Sequence, residues 1–413
     1  MTIRYDILWT QWVLYMFSTR IRSVEWKASS LGRITHNFYD VLTVEIRPEL
    51  IEGPSCDLGG FPMDMGTLAR SMRARMPWPV GQRVLRQNEL PRGHGWEKTV
   101  EKLSDERVNY DYAIEGTTND LREHLLCGEK LVRLYMVSKP ARNALTKTLQ
   151  NVQLPKSRFR EAYPALLSED ELEAGSSKPI LISIEDSDEG VSAVFASVRS
   201  LLLKEPLTPD ELPEGVADAL SQYDEIVGIK YVRYEAVDVV SIPKTGDYVG
   251  IRVDFPNGMH RDVAEVAQSR LRTELSSLVK AEHLSSPVNL FPLIDAMYKA
   301  KTEGTVVELA FGTTTASLKH EKMRRRGTCL RDEAYHKGGK AALGSPIEPY
   351  RLSIVWRVPF SEGESTPELG LYSTALASGS ANPILTDAVI RKCMGLRDFN
   401  YVEKRIEYFL SRV

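Results

Sequence analysis

The segment "FGTTTASLKHEKMRRRG", residues 311–327, combines hydroxyl and cationic side chains that could bind an anion. An apolar strand pattern leads into Gly312, and the spacing predicts a helix that begins near Ala316. The first turn of a helix has unpaired N–H groups and a partial positive charge, so a phosphate could bind there. A threonine that only caps the helix is the simpler alternative, because the segment lacks the GxxxxGK[ST] spacing of a nucleotide P-loop. The hydroxyl candidates are Thr313, Thr314 and Thr315.

The same region carries an excess of basic residues. From Gly312 to Lys340 there are eight Lys and Arg against three acids, in a chain whose net charge is −3. Gly338 and Gly339 would allow a sharp turn or a close approach of the backbone to a ligand. We therefore predict an anion-binding loop over residues 312–340. Its further candidate contacts are Lys319, His320, Lys322, Arg324, Arg325, Arg326, Arg331, His336, Lys337 and Lys340.

A second basic segment lies between Pro62 and Lys98, with seven Lys and Arg against three acids. Trp78, His94 and Trp96 are interleaved with its arginines. Arginine binds phosphate as a fork and aromatic rings stack on unpaired bases, so the pattern predicts contact with single-stranded or distorted nucleic acid. The alternative is that the tryptophans are core residues and the arginines pair with acids. The candidate contacts are Arg70, Arg73, Arg75, Arg83 and Arg86.

Two sets of carboxylates offer an enzymatic alternative that would need Mg²⁺. One set is Asp6, Glu25 and Lys27, whose order is similar to that of the PD-(D/E)xK nucleases, where two carboxylates hold the metal and the lysine positions the attacking water. The other is "IEDSDEG" at the end of a predicted strand, where carboxylates could hold Mg²⁺ or complement the N-terminus of a following helix. Its members are Glu185, Asp186, Asp188 and Glu189.

Zinc is not predicted, because the spacing of His320, Cys329 and His336 matches no closed zinc site. The binding function that we favour needs no cofactor and no metal.

The helices and strands predicted around these residues indicate an α+β fold, with antiparallel or mixed sheets flanked by amphipathic helices. "RSVEWKA" and "FYDVLTVEIRP" alternate as strands do, and "MGTLARSMRARM" has helical spacing up to Pro77. Further helices are predicted over residues 118–150. The acidic stretch "SEDELEAGSS" is typical of a linker. We therefore predict two domains, a β-rich α+β domain over residues 1–167 and an α/β domain over residues 178–413.

In the second half, "PILISIED" is a predicted strand and "GVSAVFASVRSLLL" a predicted helix. "IVGIKYVRYEAVDVV" and "YVGIRVDF" predict a hairpin, and "TVVELAF" and "YRLSIVWRV" predict two more strands. A surface helix should follow the hairpin, with Val263, Val266, Leu271, Leu275 and Leu278 on its buried stripe. "LFPLIDAMYKAK" and "YVEKRIEYFL" predict two later helices.

The 413-residue composition, 42% hydrophobic and 26% charged, is typical of a globular protein. Four scattered cysteines indicate neither a disulfide framework nor a zinc ribbon and favour the cytoplasm. The apolar stretch "ILWTQWVLYMF" is too short to span a membrane. The sequence thus predicts a non-catalytic subunit of a multi-protein complex that binds the phosphate backbone of DNA or RNA. An antiviral defence or mobile-element system is one setting for such a subunit, and a nuclease and a protein-interaction scaffold remain alternatives.

Overall fold

The computed structural model describes residues 63–208, 216, 220, 223, 225–279, 284, 286–313, 315–324, 327–360 and 363–413. Residues 59–413 form one compact unit. The two strands predicted at the start of the chain lie outside the described residues. The same holds for the candidate nuclease residues Asp6, Glu25 and Lys27.

Helices cover both faces of a sheet in the described part of the chain. Some helices begin at a polar N-cap, as when Asp64 accepts a hydrogen bond from the Thr67 N–H. The helices are α1 Met65–Arg75, α2 Trp78–Gln87, α3 Gly95–Leu103, α4 Asp111–Cys127, α5 Lys139–Gln150, α6 Arg158–Ala162, α7 Glu169–Glu173, α8 Arg261–Leu278, α9 Phe291–Lys299, α10 Ala334–Ala342, α11 Ala375–Ser378 and α12 Leu396–Leu410.

Ten strands of the described residues form one sheet in the order β2-β3-β4-β5-β1-β12-β11-β8-β6-β7, and β9 and β10 form a small separate sheet. The pairings between neighbouring strands are antiparallel. The α+β fold is therefore confirmed. The strands are β1 Lys130–Met136, β2 Ile180–Asp186, β3 Gly190–Leu207, β4 Ile226–Pro243, β5 Tyr248–Asp254, β6 Thr305–Gly312, β7 Leu318–Lys322, β8 Glu348–Val355, β9 Val358–Phe360, β10 Gly363–Ser365, β11 Glu368–Tyr372 and β12 Asp387–Arg391.

The apolar core lies on both faces of this sheet. On the first face, α1–α4 pack over β2–β4, while α9 and α12 pack over β6, β8 and β11. On the second face, α5 and α8 pack over the middle strands. Neighbouring residues of β1 belong to different cores, Leu131 to the second face and Val132 to the first, as the two-residue period of a strand requires.

The segment "GVSAVFASVRSLLL" was predicted to be a helix, and that prediction is wrong. The segment lies in strand β3, whose part up to Val198 is buried on both faces. Ala193 and Phe195 pack on the second face, and Val194 and Ala196 pack on the first. A strand that is buried on both faces has an unbroken apolar sequence, so its two-residue period is hidden.

The helix predicted to begin near Ala316 is also absent. The chain instead forms a β6–β7 hairpin whose loop contains Ala316 at a φ of +58°. Gly338 and Gly339 do not form a turn, because both lie inside helix α10. The basic stretch is thus a strand, a short 3-10 turn over Leu330–Asp332 and a helix, not one long loop.

The predicted linker over residues 168–177 contains the short helix α7, which begins with a capping box between Ser168 and Glu171. Strand β1, from before this linker, lies between β5 and β12, from after it. Residues on both sides of the predicted boundary therefore build one sheet, and the division into two domains is not confirmed.

Helix α8 was predicted correctly, and Leu271 and Leu275 of its predicted stripe are buried, but the rest of the stripe was not predicted correctly. Val263 and Val266 are exposed. Gln268, which was placed on the outer side, is buried and donates to the carbonyl oxygens of Leu131 and Ile251. The buried side of α8 therefore carries an amide that satisfies sheet carbonyls.

The outer halves of β3 and β4 pair only with each other. Beyond Val198 and Glu235 they continue as a two-stranded ribbon to Leu207 and Ile226. One face of the ribbon exposes apolar side chains: Leu202, Val227, Ile229 and Tyr231. No helix in the described part of the chain is long and apolar enough to cross a membrane.

Candidate nucleic-acid interface

The candidate site is built on strand β7, which forms one edge of the large sheet. Ala310 of β6 pairs with His320 of β7 and with Arg351 of β8. Successive side chains of β7 point to opposite faces of the sheet. Lys319 and Glu321 therefore face helix α10 on the first face, whereas His320 and Lys322 face the second.

The threonines form the hairpin loop rather than a helix N-terminus. The Thr313 N–H donates to the Ser317 carbonyl oxygen at 3.0 Å, and the hydroxyls of Thr313 and Thr315 are 2.9 Å apart. Thr314 lies outside the described residues. The orphan N–H groups of a helix start, on which the phosphate prediction depended, are therefore not found at this loop.

On the second face, the carboxylate of Glu308 brings three basic side chains together. It accepts hydrogen bonds from Arg351 Nε at 2.6 Å and His320 Nε2 at 3.0 Å, and Lys322 Nζ lies 3.5 Å away. Burial raises the pKa of Glu308, but the hydrogen bonds from Arg351 and His320 outweigh it, so the net pKa lies below its ordinary value. Glu308 therefore stays ionised and orients these side chains at the sheet surface.

On the first face, a hydrogen-bonded chain of four side chains joins β7, α10 and α9. Glu321 Oε2 lies 2.6 Å from His336 Nδ1, and His336 Nε2 lies 2.8 Å from the Tyr298 hydroxyl. Lys340 Nζ donates to the same hydroxyl at 2.9 Å and lies 4.6 Å from the Tyr298 ring centroid. An ammonium only donates, so the Tyr298 oxygen accepts from Lys340.

These four hydrogen-bonded side chains hold Lys340 at the surface. Both rings are buried, His336 with 3% of its surface exposed and Tyr298 with 4%. Glu333 caps helix α10 by accepting from the His336 N–H at 2.7 Å. Hydrogen bonds from the His336 and Tyr335 N–H groups lower the pKa of Glu333. The buried rings are closed to a substrate, and their hydrogen bonds fix α10 on the hairpin.

The predicted cations differ in accessibility. The Arg331 guanidinium donates to the carbonyl oxygens of Ala300, Glu303 and Gly304, so it joins the end of α9 to β6. Arg325 and Arg326 lie outside the described residues. Five other cations are exposed, and we call them the β7–α10 cations: Lys319, Lys322, Arg324, Lys337 and Lys340.

In the Arg-rich segment, Arg75 is part of a buried ion network. Its guanidinium lies 2.5 Å from Asp254, over the ring of Tyr234, and the Lys130 ammonium lies 2.6 Å from the same carboxylate. Burial lowers the pKa of Lys130. Burial also raises the pKa of Asp254, but the charges of Arg75 and Lys130 bring it below its ordinary value. Arg75 therefore stabilises the core and does not face a ligand.

The tryptophans of this segment pack against the core. The rings of Trp78 and Trp96 meet edge to face at 5.3 Å, and Trp96 Nε1 donates to the Met76 carbonyl oxygen at 3.0 Å. A Cβ on Gly81 would lie 2.1 Å from Trp96 Cζ2, so the indole needs a glycine there.

The surface arginines of the segment have separate contacts. Arg73 pairs with Glu97 at 2.5 Å, Arg70 donates to Thr67, and Arg83 stacks over Phe360. Arg86 is exposed. The alternative of core tryptophans and arginines paired with acids thus describes the two tryptophans, Arg73 and Arg75, but not Arg70, Arg83 or Arg86.

The carboxylates at residues 185–189 lie on a β2–β3 hairpin, with no helix after them. Each has a different partner: Ser183 donates to Glu185, Gln150 donates to Asp186, and Lys244 and Lys404 pair with Asp188 and Glu189. No group of three or more His, Cys, Asp or Glu that could hold a metal occurs among the residues that the structure describes.

Sequence reasoning missed Glu308, Tyr298 and Arg351. One signal for Glu308 was present, because a glutamate inside the apolar strand "TVVELAF" has to be paired when it is buried. Tyr298 and Arg351 carried no such signal, since only the register of β6 and β8 and the packing of α9 bring them here.

Comparison of the chain with protein-family models, with curated proteins and with solved structures finds no match.

Proposed function

We propose that this chain binds the phosphate backbone of DNA or RNA through the β7–α10 cations, as a non-catalytic subunit of a larger complex. The observation that carries the proposal is the exposure of these five cations along one sheet edge and the adjoining helix. A cytoplasmic location and a role in an antiviral defence or mobile-element system complete the proposal, and they rest on the sequence alone.

The cations of this surface outnumber the carboxylates that pair with them. Glu308 is shared by Arg351, His320 and Lys322, Glu321 accepts from His336, and Asp332 pairs with Lys337. Lys319 and Lys322 are three residues apart on an extended strand, about 10 Å. An edge of this length can contact more than one phosphate of a DNA or RNA strand. Lysines on an edge strand also prevent pairing with other sheets, so binding has to be measured.

The test is a variant with Lys319→Gln, Lys322→Gln and Arg324→Gln. Fluorescence anisotropy with single-stranded and duplex DNA and RNA, over a series of salt concentrations, would give affinity and salt slope. Three lost phosphate contacts should reduce the slope of log K against log salt by about 2 to 3. The matched control is Lys139→Gln, Lys147→Gln and Lys156→Gln, three exposed lysines away from the hairpin. Equal slopes for the two variants would refute the proposal.

A protein-interaction scaffold is the second candidate, and the β3–β4 ribbon favours it. Tyr231 is 74% exposed and Ile229 61%, on the same ribbon face as Leu202 and Val227. Exposed apolar faces of this kind mark contacts between proteins. If a second copy of the chain covers the ribbon, sedimentation velocity should show a dimer that Ile229→Ser with Tyr231→Ser abolishes. A monomer at all concentrations would exclude this form of the scaffold.

A further inference from the structure

A cavity of about 640 Å³ with positively charged walls lies beside helix α3. It is separate in sequence from the β7–α10 cations and shares no residue with them. Within the described part of the chain, its lining contains no carboxylate. The lining residues are Gln82, Arg92, Gly93, His94, Lys98 and Lys102.

The loop that forms one wall is held in place by Thr99. This threonine is fully buried, and its hydroxyl accepts from the Gly93 N–H at 2.9 Å and donates to the Gly95 carbonyl oxygen at 2.8 Å. Gly95 has a φ of +82°, which favours glycine. A Cβ on Gly93 would lie 2.5 Å from Lys98 Cβ, so the loop lies directly against the helix. The wall is therefore formed before any ligand arrives.

The cations around the cavity are held by the same loop and helix. Lys102 Nζ donates to the Arg92 carbonyl oxygen at 3.2 Å, and Lys98 Nζ lies 2.8 Å from Glu101. Glu97, the other acid in α3 apart from Glu101, pairs with Arg73. Glu97 is thus engaged outside the lining, whereas Glu101 pairs with Lys98 of the lining itself. The other basic groups of the walls, Arg92, His94 and Lys102, keep the field inside positive.

The start of helix α3 adds to this field. Its N-cap is His94, and no side chain caps the first turn. The N–H groups of that turn carry a partial positive charge beside Arg92 and His94.

We propose that this cavity binds a phosphate group. A guanidinium donates to phosphate oxygens in pairs, and ammonium and imidazole groups add charge-assisted hydrogen bonds. The volume lies within the range of small-molecule sites and leaves room for a group joined to the phosphate. The phosphate could therefore belong to a free nucleotide or to the phosphorylated end of a nucleic-acid strand. Only the second source rests on the proposed function.

The test variant is Arg92→Gln with Lys98→Gln, and the control is Lys139→Gln with Lys147→Gln. Isothermal titration calorimetry would measure binding of inorganic phosphate and of a nucleoside 5′-monophosphate. We expect the wild type and the control to bind both, and the test variant to bind at least about tenfold more weakly. No binding at millimolar phosphate, or equal binding by the test variant, would overturn the proposal. His94→Gln serves as a second variant if the first does not fold by circular dichroism.

Oligonucleotides with a 5′-phosphate or a 5′-hydroxyl separate the two sources. A preference for the 5′-phosphate that the test variant loses assigns a strand end, and mononucleotide binding without that preference assigns a free nucleotide. The Lys319, Lys322 and Arg324 variant should keep its affinity for inorganic phosphate. If the chain binds phosphate but no oligonucleotide, the proposed function alone is refuted. If it binds oligonucleotides but no phosphate, the cavity proposal alone is refuted.

Discussion

The Tyr298 hydroxyl lies 2.8 Å from His336 Nε2, and this contact joins helix α9 to helix α10 beneath the exposed Lys340. Both rings also meet edge to face, at 6.0 Å between centroids. The surface that we propose for nucleic-acid binding is therefore supported by buried polar groups that must all keep their partners.

Tyr298→Phe should loosen helix α10. The substitution leaves Nε2 of the buried His336 without a partner, so we expect a loss of about 1–3 kcal/mol in the free energy of unfolding. Urea denaturation would measure it, and hydrogen exchange should show lower protection over Ala334–Ala342. Tyr335→Phe is the control, since Tyr335 is in the same helix but 76% exposed. Equal effects of the two substitutions would contradict the structural role of the hydroxyl.

Asp254→Asn should destabilise the core strongly. Asp254 is fully buried, is shared by Arg75 and Lys130, and accepts from the Val237 N–H at 2.5 Å. Neutralising it leaves two buried cations without their shared anion, and breaking a buried pair of this kind costs about 3–5 kcal/mol. The measurement is urea unfolding beside Asp188→Asn, which changes an exposed carboxylate. A loss similar to that of the control would mean that the two cations find other partners.

Glu235→Gln should change how stability depends on pH. Burial raises the pKa of Glu235 to about 7 from 4.5, although the Leu167 N–H and the charge of Arg75 lower it. A carboxyl with a raised folded pKa binds its proton more tightly when folded, so the wild type loses stability as pH rises from about 4.5 to about 7 and no more above that.

The Gln variant lacks this ionisation. The free energy of unfolding of this variant, relative to that of the wild type, should therefore rise by up to about 3 kcal/mol between pH 4.5 and pH 7. Urea unfolding at four pH values between 4.5 and 8 would test this, with Glu106→Gln at an exposed position as control. A difference that is constant with pH would contradict the raised pKa.

Glycine substitutions should have opposite effects in α2 and α10. Gly81→Ala would place a methyl group 2.1 Å from the Trp96 ring, so the indole must move and stability should fall. Gly338 lies in a helix with nothing within 4 Å of a new Cβ, so Gly338→Ala should raise the free energy of unfolding by about 0.5–1 kcal/mol. Thermal unfolding of both variants would decide. Destabilisation by Gly338→Ala would indicate that α10 is not helical at this position.

Helices and hairpins with an undisturbed period were predictable, and elements defined by distant partners were not. Helix α1 ends before Pro77 as predicted, and β4 and β5 pair as predicted. Strand β3 was missed because burial on both faces removes its alternation. Strand β7 was missed because Lys319, His320 and Lys322 have low strand propensity, and pairing with β6 overrides it.

The candidate site was predictable in its charges but not in its geometry. The basic excess in the sequence corresponds to exposed cations on β7 and α10. The number of basic residues in the sequence could not distinguish Arg331 from Lys319. Arg331 donates to three backbone carbonyl oxygens, whereas Lys319 lies at the surface. Only the packing of α9 against β6 distinguishes the two.

The central place of β1 bears on how the chain folds. Lys130 of β1 pairs with Asp254 of β5 on one side and with Ile390 of β12 on the other, 260 positions later in the sequence. A ribosome exposes β1 long before its second neighbour exists, so both edges of a buried apolar strand cannot be paired until β12 has been made. Contacts this distant in sequence slow folding, so a nascent chain exposes one edge of β1 until late in its synthesis.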